Sequence, residues 1–196
     1  MPKNPVMCKS IVSTPLADKV AEHYGVECRN VLTGFKWIGD QIAKLEADGE
    51  VDRFIFGFEE SYGYLAGPYV RDKDGVDGAY MICEMFSYYA TKGISLLDKL
   101  DELYKTYGYC LNTLHSYEFD GSAGFAKMQS IMQAFRGDIK EFGGKKVVKL
   151  LDYAPGLDGC PSPMCSSSCW KTTAPLWCVP PAPSRSSRLY LRQRRE

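Results

Sequence analysis

Three short runs rich in β-branched and aromatic residues alternate with two helical segments, and this alternation constrains the fold more than any other feature. The strand candidates are VMCKSIVST (residues 6–14), ECRNVL (27–32) and RFIFGF (53–58). Between them, residues 16–25 and 35–50 space their apolar side chains along one face of a helix. Strand–helix–strand–helix–strand with short connections is typical of a parallel α/β layer. An α/β domain with a mostly parallel sheet is therefore predicted.

The segments that follow extend this pattern. Residues 76–93 predict a largely buried helix, and residues 95–108 predict an amphipathic helix with Ser95 as its N-cap. A strand, a helix and a further strand are predicted at residues 109–119, 121–137 and 145–153. We therefore expect three parts: a three-layer α/β/α domain (1–108), a helical linker with a partial C-terminal domain (109–159), and an irregular tail (160–196).

The tail differs from the rest of the chain in charge. The whole chain has 24 basic and 24 acidic side chains. Residues 160–196 contain six of the basic residues and one acid, so the tail carries a net charge of +5. The first 159 residues, with 18 basic and 23 acidic side chains, carry −5. The balanced total therefore says nothing about the partners of the chain.

Three interpretations of the tail compete. The spacing Cys160-x4-Cys165-x3-Cys169 is loosely compatible with zinc, but the tail has no histidine and no C-x-x-C pair. Its arginine-rich end would suit nucleic acid, but no interleaved aromatic residues accompany it. The third interpretation is that the tail is a translation artefact. We predict no bound metal and no nucleic-acid partner.

Several common functional classes lack their motifs. No apolar run approaches the roughly 18–20 residues that span a bilayer, and the N-terminus lacks the apolar core of a secretory signal. No membrane partner and a cytoplasmic location are therefore predicted. No P-loop, dinucleotide-binding fingerprint or G-x-S-x-G motif is present. His23 and His115 are the only histidines, and since neither lies beside a nucleophile motif, both are predicted to be structural.

The segment F-G-F-E-E-S-Y-G, residues 56–63, places two carboxylates and a hydroxyl at the carboxyl end of a predicted strand. Ligands of parallel sheets bind at this edge, where residues 33–36 form the other candidate loop. The polar groups would suit the vicinal hydroxyls of a sugar, and a solvated acidic loop is the open alternative. Glu59 and Glu60 are neighbours on an extended segment and point to opposite faces, which argues against a joint acid–base role.

The segment Y-V-R-D-K-D-G-V, residues 69–76, follows closely. Arg71 and Lys73 would suit a phosphate. The interleaved Asp72 and Asp74 indicate instead a surface loop of ion pairs, and both interpretations stay open. The spacing does not match an EF-hand loop.

Three motifs together resemble one family. T-G-F-K-W (33–37), G-F-E-E-S-Y-G (57–63) and R-D-K-D-G (71–75), in this order, resemble the third domain of the α-D-phosphohexomutases, the phosphoglucomutase/phosphomannomutase family. The phosphoglucomutase/phosphopentomutase-like branch is the most similar, and the resemblance covers about residues 1–159. It implies that residues 1–108 form domain III and that residues 109–159 begin domain IV. It also implies site residues: Glu59 and Ser61 as sugar-hydroxyl contacts, Thr33 and Gly34 as a second sugar-contacting loop, and Lys73 near the ligand phosphate.

The resemblance implies a four-domain isomerase that moves a phosphate between C1 and C6 (or C5) of a sugar, with Mg²⁺ as cofactor. The catalytic serine of the family lies in a T-A-S-H-N-P-type loop and the metal in a D-x-D-x-D-R-type loop, and neither sequence occurs here. We therefore expect no catalytic residue, no metal ligand and no mutase turnover from this chain alone. The expected partners are a phosphosugar of the glucose 1- or 6-phosphate type and the missing domains of the same enzyme. The alternative is a non-catalytic α/β sugar-phosphate-binding or interaction module with a basic tail.

The tail also bears on this resemblance. Domain IV of the family carries an R-P-S-G-T-E-P-type phosphate-binding loop, which is absent from the sequence as written. Residues 179–188, V-P-P-A-P-S-R-S-S-R, permit codons that encode R-P-S-G-T-E-P-K-L-K when they are translated one nucleotide earlier. We therefore hypothesise a single-nucleotide deletion or sequencing error near Gly159.

Overall fold

The structure is a computed structural model that describes residues 1–111, 117–142, 145–152, 168–172, 176–178 and 187–188. The chain divides into two compact units, Met1–Cys110 and Leu111–Glu196. All the candidate site residues lie in the first unit.

The first unit is built around one four-stranded sheet. Its strands are β1 (Val6–Ser10), β2 (Glu27–Val31), β3 (Phe54–Phe58) and β4 (Tyr64–Leu65), and its helices are α1 (Leu16–His23), α2 (Phe35–Ala47), α3 (Gly75–Ala90) and α4 (Leu96–Tyr107). A single 3₁₀ turn, Val51–Arg53, precedes β3. The strand order is β2-β1-β3-β4, with β1 parallel to β2 and β3, and β4 antiparallel to β3. The predicted α/β fold with a mostly parallel sheet is confirmed.

The layering follows from the positions of the strands. β2 and β3 lie on opposite sides of β1. Because crossovers between parallel strands are right-handed, the two connecting helices lie on opposite faces of the sheet. α1 packs against β2 and α4, whereas α2 packs against β1 and β3. The sheet therefore has helices on both of its faces.

The apolar face predicted for α2 forms the centre of the core. Phe35, Ile38, Ile42 and Leu45 are all at most 3% exposed. They pack against buried residues of β1, β3 and the ends of β2 and β4, namely Val6, Cys8, Val31, Phe54 and Leu65. Since α2 begins directly at the carboxyl edge of the sheet, this packing fixes the position of its N-terminus.

The burial predicted for residues 76–93 is wrong. Within α3, only Gly78 is buried, whereas Tyr80 and Phe86 are 64% and 59% exposed. α3 packs against β4, where Gly78 lies on the ring of Tyr64. Many apolar residues in a helix do not by themselves show that the helix is buried. In α3, these side chains are left exposed by the described residues.

The helix predicted at residues 95–108 is confirmed. Ser95 Oγ accepts a hydrogen bond from the Asp98 N–H, and the Asp98 carboxylate accepts one from the Ser95 N–H. This reciprocal capping box begins α4 as the sequence predicts.

The second unit is described in part. Its elements are β5 (Glu118–Phe119), α5 (Gly121–Arg136), β6 (Glu141–Phe142), β7 (Lys145–Asp152), β8 (Ser168–Thr172), β9 (Leu176–Cys178) and β10 (Ser187–Arg188). β6-β7-β8-β9 form an antiparallel sheet, and β10 pairs with β5. The helix at 121–137 and the strand at 145–153 are confirmed, whereas of the strand predicted at 109–119 only Glu118–Phe119 is observed and residues 112–116 lie outside the described residues.

The tail predicted to be irregular contributes β8, β9 and β10, and its other residues lie outside the described part of the chain. The domain limits predicted at residues 108 and 159 stay a prediction.

Candidate functional site

Three loops meet at one edge of the sheet in the first unit. They follow β1 (residues 11–14), β2 (residues 32–34) and β3 (residues 59–63). These strands are parallel, so their carboxyl ends lie at the same edge, where ligands of α/β sheets bind. Residues 59–63, E-E-S-Y-G, are called the acidic turn below.

The acidic turn is joined to the start of α2 by a hydrogen bond. The Gly34 backbone N–H donates to Glu59 Oε1 over 2.6 Å. Gly34 is the N-cap of α2, and its φ of 117° lies in a region that glycine adopts without strain. The free N–H groups at a helix N-terminus favour a negative charge. The structure therefore brings Gly34 and Glu59 together, although they are 25 residues apart.

Glu59 is a buried carboxylate, only 5% exposed. Burial raises its pKa above the ordinary carboxyl range, and the nearby Glu60 raises it further. The hydrogen bond from Gly34 and the charge of Lys73 act in the opposite direction and lower the pKa. The net result is a carboxyl group whose pKa lies above its ordinary value, mainly because it is buried.

Glu60 has a different hydrogen-bond partner from Glu59. Ser10 Oγ donates to Glu60 Oε2 over 2.5 Å, and Ser10 Oγ lies 2.8 Å from Ser13 Oγ. Both serines are at most 1% exposed. Glu59 therefore binds the loop after β2, and Glu60 binds the end of β1.

Lys73 lies beside the acidic turn. A Cβ added to Gly63 would lie 3.1 Å from Lys73 Cδ, 3.3 Å from the Phe35 ring and 3.5 Å from Glu59 Oε2. Three side chains thus converge on this glycine, which leaves little room for a larger residue. The Lys73 ammonium lies 5.8 Å from the centre of the Phe35 ring and 3.6 Å from Asp72 Oδ1, and Lys73 is 55% exposed. A positive charge open to solvent therefore stands next to the buried carboxylate.

Ser61 lies at the exposed tip of the acidic turn. The turn is closed by the Glu59 N–H, which donates to the Gly63 carbonyl over 2.9 Å. Within it, Tyr62 adopts a φ of 63° and is 86% exposed. Ser61 is therefore an exposed residue that directly follows two glutamates, each of which is hydrogen-bonded to another loop or strand.

Arg71 is not part of this group of side chains. Its guanidinium pairs with Glu46 over 2.5 Å and donates to the Pro68 carbonyl over 2.6 Å. Glu46 belongs to the last turn of α2, whereas Gly34 precedes the first, and 12 helical residues span about 18 Å. Arg71 therefore binds the far end of α2.

Thr33 lies in the loop after β2, directly before Gly34. Its Oγ1 is buried and has no hydrogen-bond partner among the described residues. The Thr33 hydroxyl is therefore not accessible to solvent. Its role as a sugar contact stays a prediction.

Comparisons with known proteins identify the family of the chain. A sequence model of the phosphoglucomutase/phosphomannomutase alpha/beta/alpha domain III matches residues 1–107, more than half of the chain. The chain belongs to the phosphoglucomutase/phosphomannomutase family. The resemblance inferred from the three motifs is confirmed, and its named relatives place the chain in a family of isomerases.

Curated phosphoglucomutases match most of the chain. One from Staphylococcus epidermidis is 38% identical over 154 residues, which are 78% of this chain and 28% of that protein. One from Staphylococcus aureus is 41% identical over 149 residues, 76% of this chain and 26% of that protein. The chain therefore spans about a quarter of the length of these relatives.

Solved structures of the family share the fold. The open form of pp63/parafusin, a phosphoglucomutase from Paramecium, superposes with a TM-score of 0.66 at 20% identity, over 96% of this chain and 33% of that one. A structure described as a phosphomannomutase from Thermus thermophilus gives a TM-score of 0.60 at 17% identity, over 98% and 33%. At these identities the likeness establishes the fold alone.

Two polar residues of this family member were missed in the sequence. Ser10 and Ser13 belong to no recognised motif, and only the structure shows Ser10 bound to Glu60. One signal was available: Ser10 ends an apolar strand at the edge where ligands of α/β sheets bind. A buried hydroxyl at such a position needs a hydrogen-bond partner, which the neighbouring loops supply.

The described residues do not fit the magnesium site that the resemblance implies for a whole enzyme of the phosphoglucomutase/phosphomannomutase family. Among them, no three His, Cys, Asp or Glu side chains are grouped so that they could hold a metal ion. His23 contacts the rings of Tyr24 and Tyr107 at 4.9 and 5.5 Å, and His115 lies outside the described residues.

In the described part of the chain, no helix has the length and apolar character required to cross a bilayer.

Proposed function

We propose that this chain supplies the sugar-recognition domain of a phosphoglucomutase/phosphomannomutase-type enzyme. In this proposal Glu59 and Ser61 bind sugar hydroxyls, Gly34 and Thr33 belong to the adjoining loop, and Lys73 faces the phosphate. The observation that carries the proposal is the buried Glu59 carboxylate, held at the N-terminus of α2 by the Gly34 N–H over 2.6 Å. Such a carboxylate at a ligand-binding edge is positioned before the ligand arrives.

The two carboxylate oxygens of Glu59 have different neighbours. Oε1 already accepts from Gly34, while Oε2 faces Gly63 and the Lys73 stem. A carboxylate oxygen has more than one lone pair, so both oxygens can accept from hydroxyl donors. Two neighbouring sugar hydroxyls would suit this acceptor pair, with the exposed Ser61 hydroxyl as a further partner.

The phosphate would be recognised by charge. The Lys73 ammonium is exposed beside the acidic turn, and the N-terminus of α2 adds a partial positive charge at the same edge. Arg71 was also predicted to bind phosphate, and for it to do so the guanidinium would have to leave Glu46. Lys73 is therefore the principal phosphate contact in this proposal.

The reaction proposed for the whole enzyme is intramolecular phosphoryl transfer on hexose (or pentose) phosphates in carbohydrate metabolism. Its catalytic serine and magnesium ligands would come from parts of the enzyme outside the described residues, and no step here uses a metal held by this chain. Magnesium would supply charge neutralisation at the phosphate in the complete enzyme. The missing domains of that enzyme and a cytoplasmic location are likewise part of the proposal.

The test is binding of glucose 1-phosphate to the full chain, followed by NMR of the isotope-labelled protein. Saturable shifts are expected at the amides of Gly34 and Ser61. Glu59→Gln should weaken binding by about tenfold or more, since a hydrogen bond to a charged group is lost. Glu46→Gln is the matched control, because it makes the same change at the exposed end of α2 and should leave binding unchanged.

Two results would contradict the proposal. One is a wild-type chain that shows no saturable shifts, and the other is equal weakening by both substitutions. Purified chain should not interconvert glucose 1- and 6-phosphates, and measurable turnover would refute the assignment of the catalytic serine to other parts of the enzyme.

A further inference from the structure

Two serine hydroxyls are buried where β1 ends. Ser10 is 0% exposed and Ser13 is 1% exposed, and their Oγ atoms lie 2.8 Å apart. Burying a hydroxyl is unfavourable unless it is hydrogen-bonded, and β1 could end on valine or alanine without this requirement. A requirement other than simple packing is therefore needed to explain the pair.

The direction of the hydrogen bonds follows from the number of protons. Ser10 has one hydroxyl proton, and it donates this proton to Glu60 Oε2 over 2.5 Å. Between the two serines, Ser13 must then be the donor and Ser10 the acceptor. The result is a chain of hydrogen bonds from Ser13 to Ser10 to Glu60 that ends on a carboxylate, and hydrogen bonds to a charged acceptor are the stronger ones.

This chain of hydrogen bonds fixes the acidic turn at a second point, separate from the bond of Glu59. Glu59 is bound by Gly34 over 2.6 Å, and Glu60 is bound by Ser10. Two adjacent residues of the turn are thereby fixed to separate parts of the sheet edge. Ser61 follows directly, and its exposed hydroxyl has its position set by the backbone of Glu60.

We propose that Ser10 is a positioning residue of the sugar-binding loop, which it orients through Glu60. The expected effect of Ser10 on sugar-phosphate binding rests on the proposed function. Its expected effect on the order of the acidic turn does not, because that effect is measured without ligand. Ser10 does not touch the ligand in this proposal. Ser13 has a secondary role, because its loss leaves the Ser10–Glu60 hydrogen bond in place.

The first test measures loop order without ligand. The Glu59 N–H closes the acidic turn on the Gly63 carbonyl, so its hydrogen exchange reports opening of the turn. In Ser10→Ala, exchange of this amide should accelerate by about tenfold relative to a core amide of β1. Cys8→Ala is the control for a purely structural effect, since Cys8 lies on the same strand, is equally buried and makes no bond to the turn.

The second test measures binding of glucose 1-phosphate. Ser10→Ala and Glu60→Met should each weaken it several-fold, and the double variant should be no worse than either single variant, because both remove one interaction. Glu60→Gln keeps an acceptor of the same length and should restore most of the affinity that Glu60→Met loses. Cys8→Ala should bind as the wild type does.

The outcomes separate the two proposals. If the wild type binds no glucose 1-phosphate, the proposed function fails, and the exchange measurement still decides whether Ser10 orders the turn. Additive losses in the double variant, no rescue by Glu60→Gln, or equal acceleration of exchange in Cys8→Ala would each overturn the positioning role of Ser10.

Discussion

The Gly34 N–H and the Glu59 carboxylate form a 2.6 Å hydrogen bond between the start of α2 and the acidic turn. The bond depends on a backbone conformation that most residues avoid, because Gly34 has a φ of 117°. It also places a carboxylate where burial opposes its charge and the helix N-terminus favours it. The geometry of the site therefore depends on both residues, and each can be tested separately.

Gly34→Ala should destabilise the protein by about 1–3 kcal/mol, because alanine is strained at this φ. Space is not the cause, since a Cβ at Gly34 would meet its nearest neighbour, Trp37 Cδ1, only at 3.8 Å. Urea denaturation measures the change. Gly75→Ala is the matched control: it is the first residue of α3, has no heavy atom within 4 Å of its added Cβ, and should change stability by about 1 kcal/mol or less. Equal losses in the two variants would show that φ at Gly34 is not the cause.

Glu59→Gln should change how stability depends on pH. Burial raises the pKa of Glu59, so the folded state binds this proton more tightly than the unfolded state does. The stability contributed by the group is therefore present at low pH and is lost as pH rises through the window from the ordinary carboxyl pKa to the raised one. Glutamine does not titrate, so the wild type should lose stability relative to Glu59→Gln as pH rises.

The measurement is urea denaturation of both proteins between about pH 4 and pH 7, a range that includes the ordinary carboxyl pKa. Glu46→Gln provides the comparison, because Glu46 is exposed at the other end of α2. The opposite trend, in which the wild type gains stability relative to Glu59→Gln as pH rises, would contradict this prediction.

The local features of the site were accessible from the sequence, whereas its long-range contacts were not. The spacing of Phe35, Ile38 and Ile42 predicts the buried face of α2, and this face is what holds the N-terminus of α2 at the sheet edge. The motif around Glu59 predicts a polar loop at the same edge. The buried face of α2 is predictable because helical periodicity depends only on residues close in sequence. The position of the loop is predictable because ligand-binding loops of parallel sheets follow the carboxyl ends of the strands.

The bond between Ser10 and Glu60 joins residues 50 positions apart, and no local pattern specifies it. The same reason explains Arg71, whose partner Glu46 lies 25 positions away and holds it at the far end of α2. For α3, the sequence shows apolar residues but not what covers them. Sequence patterns therefore place the loops, and the packing of the sheet decides which side chains meet.

The cysteines of the first unit should differ in reactivity. Burial raises the pKa of Cys8 and of Cys28 to about 12, so neither thiol ionises near neutral pH. Cys83, on α3, is exposed. Iodoacetamide at about pH 8 should therefore alkylate Cys83 while Cys8 and Cys28 stay unmodified until the protein is denatured, since only the thiolate reacts. Peptide mass spectrometry gives the site of each modification. Labelling of Cys8 at the rate of Cys83 would contradict the buried position of β1.

The prediction for the coding DNA is a single-nucleotide deletion, or a sequencing error, near Gly159. The tail carries a charge of +5 against −5 for the residues before it, and residues 179–188 permit codons for R-P-S-G-T-E-P-K-L-K in the shifted frame. Resequencing should show that one added nucleotide restores this phosphate-binding motif downstream of residue 159. An intact reading frame whose codons for residues 179–188 do not encode the motif in the shifted frame would remove the hypothesis, and the basic tail would then have to be treated as a genuine part of the protein.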